Sequence, residues 1–285
     1  MPTRREVIRD ALLLGGLVAC RHVAPQSTAS ERRIRLGVCD WSLGKRTDPA
    51  SFALAAQLGL DGVQIDLGDD PSSFLSAERR RPFEQASREA RVAVDGVALG
   101  VLNRVPYKSD PRTEAWVRDS VDVAAALGVG VILLAFFDRG DLKGDANGQA
   151  EVVRRLKRVA PHAEAAGVVL GIESWLSAPE LRRLIDAVGS PNVRVYYDVA
   201  NANEMGYDVY REIRTLGHEL VREVHAKENG ALLGQGQIDF VRIHEALDDI
   251  RFRGWVQIEG AVPNGMDRMD AYRANAAYLR RVMRG

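Results

Sequence analysis

The run Ala166-Gly167-Val168-Val169-Leu170-Gly171-Ile172-Glu173 contains a helix stop, a turn and a strand that ends on a carboxylate. A glycine can leave a helix in the left-handed conformation at little cost, and the apolar segment after it has the length and β-branched content of a buried strand. The same module recurs along the chain. Strands are predicted at 34–39, 62–67, 94–101, 129–136, 168–173, 193–198, 221–226 and 255–260, with helical stretches between them. Leu58-Gly59 and Leu127-Gly128 repeat the helix stop, and Asp48-Pro49 and Asp110-Pro111 place an acceptor before proline where helices begin. Eight strand–helix units with short returns predict an α/β chain folded as one (β/α)8 TIM barrel over residues 32–285. An open, doubly wound sheet is the alternative, but Gly37-Val38-Cys39-Asp40-Trp41 lacks the glycine-rich phosphate loop that such a sheet carries after its first strand.

Composition agrees with a barrel. The chain has 285 residues, 46% hydrophobic and 27% charged, enough for one large core. Lys+Arg and Asp+Glu both number 39, so nothing suggests nucleic acid as a partner. No apolar run is long enough to cross a bilayer. The first residues read as an address. Arg4-Arg5 is a twin-arginine pair, a short apolar core follows, and Leu17-Val18-Ala19-Cys20 resembles a lipobox. A signal peptide over 1–20 and a polar tether over 21–31 are expected. They imply export to the cell envelope or periplasm, with membrane contact only through a lipid on Cys20. Cys39 would be the second cysteine, too few for a disulfide framework, and is expected to be a small buried residue.

The chemistry lies in the second half. The predicted fifth to eighth strands end at Glu173, Asp198, His225 and Glu259. Alternation sends Val195, Tyr197, Val224, Val256 and Ile258 towards the helices, so Asp198, His225 and Glu259 face the barrel axis at its carboxyl end, where barrel enzymes work. Three carboxylates brought together repel unless a cation holds them. The mixed oxygen and nitrogen set suits one divalent metal ion, Mn2+, Mg2+, Co2+ or Zn2+. His162, His218 and His244 fall on predicted helices.

Several stretches in order resemble one family: Gly171-Ile172-Glu173, Tyr197-Asp198-Val199-Ala200-Asn201-Ala202, Val224-His225-Ala226-Lys227-Glu228, Gly234-Gln235-Gly236-Gln237-Ile238-Asp239-Phe240 and Gly254-Trp255-Val256-Gln257-Ile258-Glu259. Over roughly residues 33–283 the chain resembles the sugar phosphate isomerase/epimerase family of xylose-isomerase-like barrels. The resemblance implies metal ligation by Glu173, Asp198, His225 and Glu259, with Glu173 and Glu259 also moving protons on two faces of a ketose. The family's epimerases carry a histidine where this chain has Asn201 and an arginine where it has Ala231, and Asn201 and Lys227 are expected to meet substrate instead. Trp41, Asp66 and Trp175 are further substrate-binding candidates at the barrel mouth, and Asp40 and Asn103 share that position. A salt bridge with Glu228 is the alternative role for Lys227. One of Phe136 and Phe137 is expected to line the site and the other the helix layer.

The expected function is a divalent-metal-dependent isomerase or epimerase of a keto-sugar. The alternatives are a metal-dependent lyase or dehydratase on a 3-keto sugar or inosose, and a non-catalytic carbohydrate-binding lipoprotein. The expected partner is a small carbohydrate, unphosphorylated if the address is right; homo-oligomerisation stays open.

Overall fold

A computed structural model describes residues 33–260 and 262–284, so the predicted signal, Cys20 and the tether lie outside the described residues. Strands β1 (Ile34–Cys39), β2 (Gly62–Asp66), β3 (Ala93–Leu99), β4 (Val131–Phe136), β5 (Val169–Ser174), β6 (Val193–Asp198), β7 (Val221–Ala226) and β8 (Gly254–Ile258) form a closed parallel barrel in chain order. The seam runs from Ile34 opposite Gly254 to Val38 opposite Ile258, which excludes the open sheet. Around the ring lie helices α1 (Ser51–Gln57), α2 (Ala77–Ala90), α3 (Arg112–Leu127), α4 (Ala146–Ala166), α5 (Ala178–Val188), α6 (Val199–Glu204), α7 (Val209–Leu220), α8 (Phe240–Asp249) and α9 (Arg268–Arg284). None of the helices is long and apolar enough to cross a membrane, among the described residues.

Local chemistry sets the ends. The Asp48 and Asp110 carboxylates accept from the amides of Ala50 and Arg112 at 2.9 and 3.0 Å, just before α1 and α3. Gly128 and Gly167 close α3 and α4 with φ of 69° and 67°, a conformation other residues enter only with strain. Alternation then divides the core. Ile132, Leu134, Phe136, Leu170, Ile172, Val195, Val224, Val256 and Ile258 pack against the helices, whereas Ala98, Val131, Leu133, Ala135 and Tyr196 form an inner cluster. Phe137 joins the inner cluster and Phe136 the outer one, as the sequence requires of one from each pair.

Five strands (β2, β3, β4, β5 and β8) differ from expectation by one or two residues at an end, and two of these ends bear on the site. β3 ends at Leu99 and turns into a short 3-10 segment, Gly100–Asn103. β8 ends at Ile258, so Glu259 sits one residue past the strand, still anchored by its amide to the Ala226 carbonyl at 3.1 Å. The lower barrel is also more polar than its apolar runs suggest. Asp95 and Gln257 are buried there, and a Cβ on Gly37 would lie 2.3 Å from the first and 2.0 Å from the second, so only glycine fits opposite them. Burial pushes the Asp95 carboxyl up to about 8, which keeps it neutral at pH 7.

Candidate metal centre and active site

Alternation brings four ligand types to one point. Glu173 on β5, Asp198 at the end of β6, His225 on β7 and Glu259 beyond β8 each offer one ligand atom, and these atoms lie within 4.8 Å of one another. Glu173, Asp198 and His225 are buried; Glu259 is the most open, with 18% of its side chain exposed.

The imidazole is oriented from both edges. Its Nδ1 lies 2.8 Å from Glu173 Oε1, 3.4 Å from Glu259 Oε2 and 3.8 Å from Asp198 Oδ2. Its Nε2 lies 3.1 Å from Gln64 Oε1, with Cys39 Sγ at 3.4 Å. Nδ1 is therefore the atom presented to a metal, and Gln64 accepts the Nε2 proton, which leaves Nδ1 as the nitrogen that would give up its proton to a metal. Cys39 is buried as expected, but on the inward face beneath this ring, where burial first and Glu259 next push its thiol well up and keep it neutral.

The carboxylates are held just as definitely. Asp198 Oδ1 accepts from the amides of Ala200 and Asn201 at 2.8 and 2.9 Å, capping α6, which turns Oδ2 towards the cluster. Glu259 Oε1 accepts from Trp41 Nε1 at 2.8 Å. Asp198 Oδ2 and Glu259 Oε2 are buried without a hydrogen-bond partner among the described residues; Lys227 Nζ flanks them at 3.7 and 3.3 Å as a charge. Buried, unpartnered oxygens aimed at a common point are expensive unless a cation completes them, so the donor set fits one divalent ion.

Electrostatics point the same way. Burial, reinforced by Glu259 and Glu173 against the pull of Lys227 and His225, raises the Asp198 carboxyl to about 8. Burial would lower His225, but Glu259 and Glu173 outweigh it and raise the ring to about 9. Burial would raise Glu259, yet the charges of His225 and then Lys227 outweigh it and hold it down at about 2. Without a metal the cluster keeps its charge balanced by retaining protons.

Above it opens a cavity of about 530 Å³. Trp41, Asp66, Asn103, Trp175, Asn201 and Lys227 all line it. Lys227 does not pair with Glu228: its Nζ reaches Glu259 and, at 3.4 Å, Asn201 Oδ1. Glu228 instead accepts from the amides of Gln237 and Ile238 at 2.7 and 3.3 Å, and a Cβ on Gly236 would meet its carboxyl carbon at 2.1 Å. The His-x-Lys-Glu and Gly-x-Gly-x-Ile-Asp-Phe elements are thus two halves of one clamp. Asp40 does not line the cavity; its Oδ2 accepts from the amides of Thr47 and Asp66 and ties two loops together. Trp175 packs edge-on against Phe137, ring centroids 5.2 Å apart. Arg46, Asp69 and Arg104 also line the mouth and come from loops whose sequence carries no ligand pattern.

The chain matches the family described as xylose isomerase-like TIM barrel over residues 52–282. It is 29% identical over 212 residues to the 2-epi-5-epi-valiolone 7-phosphate 2-epimerase of an Actinoplanes species, covering 71% of this chain and 78% of that one. It is 36% identical over 134 residues to the D-psicose 3-epimerase of Ruminiclostridium cellulolyticum, covering 44% of each. A D-psicose 3-epimerase crystallised in the presence of D-fructose superposes with a TM-score of 0.75 over 88% of this chain and 100% of that one, at 20% identity.

Proposed function

The chain belongs to the xylose isomerase-like TIM barrel family, and from that premise we propose that it is a divalent-metal-dependent isomerase or epimerase of a keto-sugar, with Glu173, Asp198, His225 and Glu259 as metal ligands. The observation that carries this reading is the convergence of four ligand atoms, two of them buried oxygens without a hydrogen-bond partner. The first relatives are named as epimerases of sugars or sugar-like phosphates, which supports the same chemistry. Mn2+, Mg2+, Co2+ and Zn2+ all suit the donors.

A divalent cation held there supplies the positive charge that makes a proton beside a carbonyl acidic enough to remove. Glu173 and Glu259 come from β5 and the end of β8, three positions apart around the ring, so their carboxylates flank the cavity from different sides. One takes the proton and the other returns it. Trp41 and Lys227 contact Glu259, and Lys227 and Asn201 line the cavity with groups able to hydrogen-bond sugar hydroxyls. Asp198 has one oxygen engaged in capping α6, which leaves it a ligand alone.

The test is proton exchange. Mn2+-loaded protein, incubated with a panel of ketoses in D2O, is expected to place deuterium on the carbon beside the carbonyl and to form the epimer or isomer, and a chelator is expected to stop both. No exchange with any ketose while metal is bound refutes the reading. Exchange with loss of a hydroxyl and no epimer would favour dehydration instead. The proposed address is tested separately: lipid labelling that vanishes in Cys20→Ala supports an envelope-anchored protein, and labelling-free wild type removes that reading.

A further inference from the structure

The mouth of the cavity carries two arginines, and a phosphorylated sugar would need at least one of them. Arg46 is already committed. Its guanidinium lies 3.0 Å from Asp66 Oδ1, and that carboxylate is buried, with burial pushing its pKa up and Arg46 as the chief opposing influence. Asp69 reaches both arginines, lying 3.4 Å from Arg46 and 3.1 Å from Arg104. Arg104 holds the Asp69 carboxyl below its usual range. The third cation lining the cavity, Lys227, sits on Glu259 and Asp198. Asp138 lines the same mouth, so two arginines there face three carboxylates. Apart from the proposed ligands Glu173 and Glu259, the rest of the wall is neutral and partly aromatic, with Phe137 against Trp175.

We infer that Asp69 is a specificity-determining residue that neutralises the mouth arginines and makes the site select an uncharged sugar over its phosphate. The inference rests on the keto-sugar reading above. A phosphate dianion entering this mouth would share Arg104 with Asp69 and lie beside that carboxylate, and like charges brought together disfavour the complex. An uncharged polyol meets no such penalty and can stack its C–H faces on the aromatic wall. The substrate class therefore differs from that named for the Actinoplanes relative, whose substrate carries a phosphate.

The experiment has a catalytic and a binding arm, both on Mn2+-loaded protein, wild type and Asp69→Asn. Asparagine keeps the size of the side chain and removes its charge. In the catalytic arm, kcat/KM for deuterium exchange is measured for free ketoses and for the same ketoses phosphorylated on the terminal carbon. In the binding arm, ribitol and ribitol 5-phosphate, which have no carbonyl to react, are titrated calorimetrically. Wild type is expected to favour the free sugar, and Asp69→Asn is expected to raise the phosphate-to-free ratio in both arms by about two- to fivefold, the scale of one solvent-exposed ion pair. A wild type that prefers phosphates, or a variant that gains no affinity for ribitol 5-phosphate, overturns the inference. If no ketose of either kind exchanges, the keto-sugar reading fails, while the calorimetric arm still decides the role of Asp69.

Discussion

Replacing Gln64 by leucine should weaken metal binding without touching a ligand. Gln64 Oε1 stands 3.1 Å from His225 Nε2 on the edge of the ring opposite the carboxylates. Leucine of similar size leaves the Nε2 proton in a buried place with only the thiol of Cys39, at 3.4 Å, as a poor acceptor. A buried donor without a partner costs about 1–3 kcal/mol. The metal-free ring can recover that by shedding the Nε2 proton and keeping the Nδ1 proton that bonds Glu173, but that tautomer cannot ligate through Nδ1. Either route charges the cost to the metal complex, so affinity should fall by about 10–100-fold, the usual effect of removing the hydrogen-bond partner of a ligating histidine. Competition for Zn2+ against a chelating dye measures it, and Gln64→Glu, which keeps an acceptor at the same reach, should restore most of the loss. A Gln64→Leu protein within threefold of wild type would refute the assignment of Nδ1 as ligand and Gln64 as its support.

Glu228→Ala should lower the melting temperature by several degrees, since two loop amides lose their acceptor at about 1–3 kcal/mol each and a chain of this size shifts about 2–4 °C per kcal/mol; an unchanged melting curve would contradict the clamp. Metal loading should be pH-dependent: His225 near 9 and Asp198 near 8 both carry protons at pH 7 in the metal-free protein, so binding must expel about two protons and strengthen as pH rises from 6 to 9. Calorimetry in buffers of different ionisation enthalpy counts them, and no proton release at pH 7 would contradict the charge balance. Glu259→Gln should keep fold and most metal affinity yet lose deuterium exchange, because the amide retains a ligating oxygen but cannot accept the proton; exchange near the wild-type rate would leave Glu259 a ligand only.

The barrel was legible because each unit repeats the same local chemistry. A glycine stop, an apolar run and a polar residue at the strand end recur, and β1, β6 and β7 have the bounds expected of them. The position of Glu259 was harder to read: Val256 and Ile258 alternate correctly, but Ile258 is the last paired residue of β8 and the glutamate follows it outside the strand. Gln64 carried a readable signal that went unused. In Gly62-Val63-Gln64-Ile65-Asp66 two polar residues alternate with two apolar ones, which in a barrel means that Gln64 points inward. The Asp69 pairs were not legible, since they join loops after β1, β2 and β3, and only the pairing of those strands makes them neighbours. Asp40 shows the converse: a carboxylate at a strand end can serve its own loops and never reach the cavity.

The central claim is that one divalent ion is held by these four side chains, and anomalous diffraction from crystals soaked in Mn2+ or Zn2+ tests it most directly. The account predicts a single strong peak in the barrel mouth, roughly 2.0–2.2 Å from His225 Nδ1 and from oxygens of Glu173, Asp198 and Glu259. A peak on Nε2, a peak elsewhere in the barrel, or none at saturating metal would contradict it.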